Sequence, residues 1–204
     1  MSLSHTALVD KDPDGWIDHG VASIQKEKLF FPLYWAKQQT GRYHGPSGVR
    51  DISSMTTQDN YVYVVPIFLQ QAITLDSVAF YSLEATGHSY RMALYGNTAP
   101  YRPFTRIEAT NTLFTDSIGI QEWPVDRDFG PGVLWVGLAL SAPHDVRSVL
   151  MTPDSPMGIL RDNLLPIAGF NVISPIFSFP VEWPALSGLV QEAPLLAVQV
   201  TATE

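Results

Sequence analysis

The chain has 204 residues, 46% of them hydrophobic and 16% charged, so it can bury a core of its own and disorder is excluded as the dominant state. A formal net charge of -8 opposes a phosphate backbone, which argues against nucleic acid as a partner. With 0 Cys, disulfides, thiolate nucleophiles and thiolate metal sites are all excluded. The charged fraction lies well below the roughly 25% of an average soluble domain, so less of the surface is committed to water and broad protein–protein contact is expected. The 14 Gly and 16 Pro, together with 5 Trp, 8 Tyr and 10 Phe, are the composition of a turn-rich β protein. The opening residues have no basic stretch followed by an apolar one, and no run reaches about 18 apolar residues, so neither a secretory leader nor membrane insertion is expected.

In chain order, residues 1–45 read as an extended N-terminal arm for attachment or assembly. Asp10, Asp12, Asp14 and Asp18 fall at positions 1, 3, 5 and 9 of a calcium loop, with Gly15 at position 6 and Ile17 at position 8. Val21, however, occupies position 12, where that loop needs a bidentate Glu. Pro13-Asp14-Gly15 is also a good type I turn, so a plain turn is preferred, no cofactor is assigned, and calcium is the alternative. Further on, Phe30, Phe31, Tyr34 and Trp35 flank Pro32 in an aromatic cluster that a short arm cannot cover by itself. These four are the expected partner-binding residues of the arm.

Residues 46–204 read as one β-sandwich domain. Runs of β-branched and aromatic residues recur between Gly, Pro, Asn and Asp, and predict strands at 61–68, 73–83, 89–96, 112–117, 120–125, 133–140, 146–151 and 194–201. Alternation puts Ile73 and Leu75, Met92 and Leu94, and Leu134, Val136, Leu138 and Leu140 on core faces, while Pro66 suggests an edge or a bulge. No helical periodicity separates these runs, which favours antiparallel pairing and an all-β, jelly-roll-like sandwich. The segment 152–193 is rich in proline yet too apolar for a solvated linker, so it is expected to wrap the sandwich or a partner chain.

Chemistry-bearing motifs are sparse. No G-x-S-x-G elbow, G-x-G-x-x-G or P-loop occurs, and the five histidines, His5, His19, His44, His88 and His144, are widely spaced. Glu84, Glu108, Asp116, Glu122, Asp126 and Asp128 could supply a glycosidase pair, but any acidic β protein offers as many, and solvated strand-end charges are the simpler reading. Trp123, Trp135 and Trp183 are candidates for stacking on a pyranose, with burial the competing use of Trp135. No catalytic residue is assigned and the chain is not expected to be an enzyme.

The order of blocks Gly45-Pro46-Ser47-Gly48, YVYVVPIFLQQAITLDSVAF at 61–80, RMALYGN at 91–97, SIGIQEWPV at 117–125 and PGVLWVGLALS at 131–141 resembles a jelly-roll-like module of tailed-bacteriophage virion proteins, found in tail fibres, spikes and related appendages. The likeness spans about residues 45–150. It implies a structural component of the virion, a tail, fibre, spike or capsid-decorating protein, assembling as a homo-oligomer and with other virion subunits. A receptor- or glycan-binding module meeting a host-surface glycan is the alternative, and a polysaccharide-cleaving enzyme ranks third.

Overall fold

The computed structural model describes residues 38–98, 102–151, 167–174, 177–184 and 188–203, all within the second of two compact units, 37–204. The calcium-loop candidates Asp10, Asp12, Asp14 and Asp18 and the aromatic arm residues Phe30, Phe31, Tyr34 and Trp35 lie outside the described residues.

Among the described residues fourteen strands form two seven-stranded sheets, every pairing is antiparallel, and no helix occurs. The chain is an all-β antiparallel sandwich. The first sheet holds β1 (Tyr43–His44), β2 (Val49–Thr56), β4 (Ile73–Ser82), β8 (Gly119–Phe129), β10 (Asp145–Met151), β13 (Glu192–Pro194) and β14 (Leu196–Thr203). The second holds β3 (Tyr61–Leu69), β5 (Ser89–Thr98), β6 (Arg102–Ala109), β7 (Leu113–Phe114), β9 (Gly132–Leu140), β11 (Gly169–Ile173) and β12 (Gly188–Val190). From β3 onward the chain crosses repeatedly from one sheet to the other, as a jelly-roll wrap requires. The sandwich takes in residues from Gln38 onward: Gln38 Nε2 donates to Phe68 O at 2.8 Å, and Tyr43 and His44 pair with Gln199 and Val198.

The main core lies between the sheets. The second sheet contributes Val65 and Ile67, Met92 and Leu94, and the alternating Leu134, Val136, Leu138 and Leu140. Facing them from the first sheet are Leu75, Val78 and Phe80 with Leu196, Val198 and Val200. Every residue expected in the core is in this cluster.

The second sheet is buried on its outer face too. There Val62, Val64, Ala93, Tyr95, Trp135 and Ala139 pack with Phe170, Phe179 and Trp183 in a second cluster. That is why YVYVVPIFL is an almost unbroken apolar run: a strand covered on both sides has no polar phase. The cover is a strap, residues 177–184, which enters at Phe177 with a φ of 49°. It lies along the free edge of β6, where Arg106 N donates to Val181 O and Trp183 N to Phe104 O, both at 2.8 Å. Three side chains of the sheet hold its carbonyls: Arg91 on Phe177, Arg106 on Phe179 and Tyr95 on Pro180.

Gly137 makes room for the strap. Flanked by Val64 and Ala93 in register, it lies where an added Cβ would meet Phe179 Cε1 at 2.9 Å, so the ring occupies the space a side chain would take. Gly169 is tighter still, since a Cβ there would stand 2.1 Å from the Val64 carbonyl oxygen. Pro66 lies two residues past Val64, the last residue of β3 paired with β11, so its missing N–H falls where that edge has opened.

Candidate functional site

The outer face of the first sheet is left uncovered by the strap, and it carries an apolar hollow. Along β14, Leu196, Val198 and Val200 are buried inward, which turns Ala197 and Gln199 outward; the pairing sets Ala197 opposite Ala79 and Gln199 opposite Ser77. Across the other side of β4, Ile120 pairs with Tyr81, Glu122 with Ala79 and Pro124 with Ser77. The two alanines leave a low floor between taller neighbours. Tyr43, Tyr81, Ile120 and Leu195 rise around it and enclose an open apolar hollow of about 170 Å³. Leu195 reaches its rim because the chain steps there from β10 to β4, with Leu195 N donating to Arg147 O at 2.8 Å between β13 and β14.

Polar groups stand at both ends. At one end the Tyr43 hydroxyl donates to Glu122 Oε1, while Ser77 Oγ lies 3.4 Å from Glu122 Oε1 and 3.3 Å from Gln199 Oε1. Burial first, then the Glu122 carboxylate, pushes the Tyr43 hydroxyl up to about 12, so it stays a donor at neutral pH. At the other end the Arg147 guanidinium carbon sits 5.8 Å from the Tyr81 ring centre. Tyr43 is 39%, Tyr81 36% and Ile120 53% exposed, so the walls meet solvent directly, while Ala197 at the floor is half-buried and Ala79 buried beneath them.

The expected stacking residues do not serve here. Trp123, Trp135 and Trp183 are only 8%, 0% and 7% exposed: Trp123 belongs to the inter-sheet core, and the other two to the cluster beneath the strap. A ring enclosed by protein has no face to offer a sugar. Trp135 Nε1 donates to Asn97 Oδ1 at 2.9 Å, which satisfies its polar edge internally.

A second polar constellation occupies one pole of the sandwich, where sequence spacing gave no hint of convergence. His144 is 0% exposed; its Nε2 lies 2.7 Å from Ser82 Oγ, and its Nδ1 lies 3.0 Å from Thr86 Oγ1 and 3.2 Å from Glu84 Oε1. The His88 ring stands 5.7 Å away, edge on. Burial pulls His144 below the ordinary histidine range, outweighing the nearby carboxylates of Glu84 and Asp145, so the ring is neutral at pH 7. Serine, histidine and glutamate thus fall in the order of a nucleophilic triad. The Ser82 hydroxyl is nevertheless 0% exposed and lies 2.6 Å from the Glu84 carbonyl oxygen. An enclosed hydroxyl held by its own loop cannot be reached by a substrate, and the cluster acts as a fastener. It joins β4 to the loop 83–88 and to β10, where Asp145 N donates to Glu84 Oε1 at 2.8 Å.

Two of the remaining carboxylate candidates have separate partners. Glu108 pairs with Arg127 at 3.4 Å, Asp128 accepts from Thr74 Oγ1 at 2.6 Å, and Asp126 sits with a φ of 50° where β8 bulges against β4. Among the described residues no three His, Asp or Glu side chains are grouped to hold a metal ion.

No family model matches the chain, and no curated protein does. Among solved structures, the cysteine protease and lectin-like domains of Cwp84, a surface layer associated protein of Clostridium difficile, superpose with a TM-score of 0.40 at 8% identity, over 75% of this chain and 37% of that one. The clostridial Cwp84 protease after propeptide cleavage gives 0.38 at 10% identity, over 75% and 38%. This chain spans under two fifths of each. Likenesses this loose carry no argument, and the fold rests on its own strand pairing.

Proposed function

We propose that the chain is a non-catalytic structural subunit of a bacteriophage virion, a tail, fibre, spike or decorating protein that assembles with copies of itself and with other virion subunits. One observation carries the reading: where the strap lies along β6, Phe104 and Val181 are diagonal neighbours, 50% and 61% exposed. Large apolar groups grouped on an edge, in a chain with only 16% charged residues, are the composition of a surface that another subunit covers. The block order at 45–150 supplies the virion assignment, and the internally tied Ser82–His144–Glu84 cluster supports a role without chemistry.

Light scattering on the purified full chain at micromolar concentration tests the assembly part. A mass of two or more chains is expected, reduced to that of a single chain by Phe104→Ser combined with Val181→Ser, with the thermal midpoint kept within a few degrees. A native chain that is monomeric throughout would contradict it.

A further inference from the structure

The hollow on the first sheet is built for an occupant with two chemically distinct faces. Its floor, Ala79 and Ala197, offers only methyl groups, and its walls offer the rings of Tyr43 and Tyr81. Such a lining gains by covering C–H groups and gains nothing from a charged or strongly hydrated one. Its polar end is rich in acceptors. Glu122 has two carboxylate oxygens and Gln199 an amide oxygen; the Tyr43 hydroxyl is already given to Glu122 and the single Ser77 proton lies between two acceptors, so Glu122 keeps acceptor capacity to spare, while the Gln199 amide brings N–H donors beside its oxygen and suits a hydroxyl that both donates and accepts.

A purely apolar occupant, such as a leucine or phenylalanine side chain from a partner, would match the floor but strip water from Glu122 and Gln199 and return no donor. An anionic occupant would meet the Glu122 carboxylate. We infer that this hollow is a subsite for a neutral pyranose, its C–H face on Ala79, Ala197 and the two tyrosine rings, and its hydroxyl edge donating to Glu122 and Gln199. Arg147, held against Tyr81 at the opposite end, supplies donors to the ring or hydroxyl oxygens on that side. The site is largely formed in advance: Tyr43 is tied to Glu122 and Tyr81 is backed by Arg147, so little side-chain freedom is lost on binding. The inference stands apart from the assembly reading, since it concerns a different sheet and is read by ligand binding instead of by mass.

The test uses the full chain on an array of neutral and anionic oligosaccharides, with light scattering and thermal melting run on the same samples. Native protein is expected to bind neutral pyranose glycans in preference to sialylated or sulfated ones. Tyr81→Ala, which removes a wall, and Ala197→Trp, which fills the hollow from its floor, should each weaken binding at least ten-fold. Glu122→Gln, which keeps the shape but weakens the acceptor, should weaken it less, and all three should leave the oligomeric mass unchanged. Tyr81→Ala lies on the solvent face and keeps the test alive if the bulkier Ala197→Trp disturbs folding. Failure of the native chain to bind any neutral glycan, or binding that survives both Tyr81→Ala and Ala197→Trp, would overturn the inference. So would variants that change the mass without touching glycan binding, since the hollow would then belong to a contact between subunits.

Discussion

His144 shows how a single buried side chain can make the whole sandwich sensitive to acid. Its ring is fully enclosed, both nitrogens are engaged, and burial disfavours the charged form more than Glu84 and Asp145 favour it, with His88 adding a like-charge neighbour. The folded chain therefore binds this proton less readily than the unfolded chain, whose histidine titrates near 6.5. The stability tied to neutral His144 is complete above that pH and is lost progressively as the pH falls below it. Urea midpoints at pH 7.5 and pH 5.5 should differ more for the native chain than for His144→Gln, which cannot take up the proton. Equal differences in the two proteins would remove His144 from the account. None of this could be read from spacing, because Ser82, Glu84 and His144 meet only through the pairing of Ser82 with Val146. The burial of all three tryptophans has a related reason. Tryptophan is the strongest stacking ring, but its large apolar area also makes it the residue a core claims first, and the smaller Tyr43 and Tyr81 are the ones left facing solvent.

Among the elements, the strap at 177–184 decides what kind of sandwich this is. It turns the outer face of the second sheet into a second core, with Tyr95 edge-on to Trp183 at 5.4 Å and Trp135 tilted against Phe170 at 5.5 Å. Tyr95→Phe keeps those ring contacts and removes only the hydroxyl donating to Pro180 O at 2.9 Å, so it should cost about 1 kcal/mol. The loss should be concentrated in the strap, and amide hydrogen exchange at Arg106 and Trp183 should quicken while that of β9 stays near the native rate. Uniform acceleration across both sheets would show that the strap does not open separately. The strands read best from sequence are the central ones, β3, β4, β5 and β9, where apolar runs are long because one or both faces are buried. Those missed include β11, an inner strand within the proline-rich stretch 152–193, and two edge strands. β2, VRDISSMT, and β6, RPFTRIEA, carry polar groups on exposed positions and resemble loops in composition; only their pairing with β10 and β5 identifies them. The opposite error fell at 112–117, where Leu113 and Phe114 alone pair with β5. Gly137 was legible as part of a strand, but its use as a seat for Phe179 depends on residues about forty positions away.

For the whole molecule, the two sheets have different work. The second is sealed beneath the strap, with Phe104 and Val181 exposed at its edge. The first keeps one face open to solvent, with the hollow framed by Tyr43 and Tyr81. A protein divided in this way can be held in an assembly through one sheet and meet a small ligand through the other. A net charge of -8 opposes non-specific association of free copies, which leaves short-range apolar contacts to select any assembly surface. The central claim, that the chain is a virion subunit, is tested most directly by electron microscopy of purified phage particles labelled with an antibody against residues 46–204. The account predicts label at fixed, repeated positions on head or tail. Particles that carry no label, prepared from a culture in which the chain is abundant but remains in the soluble fraction, would contradict it.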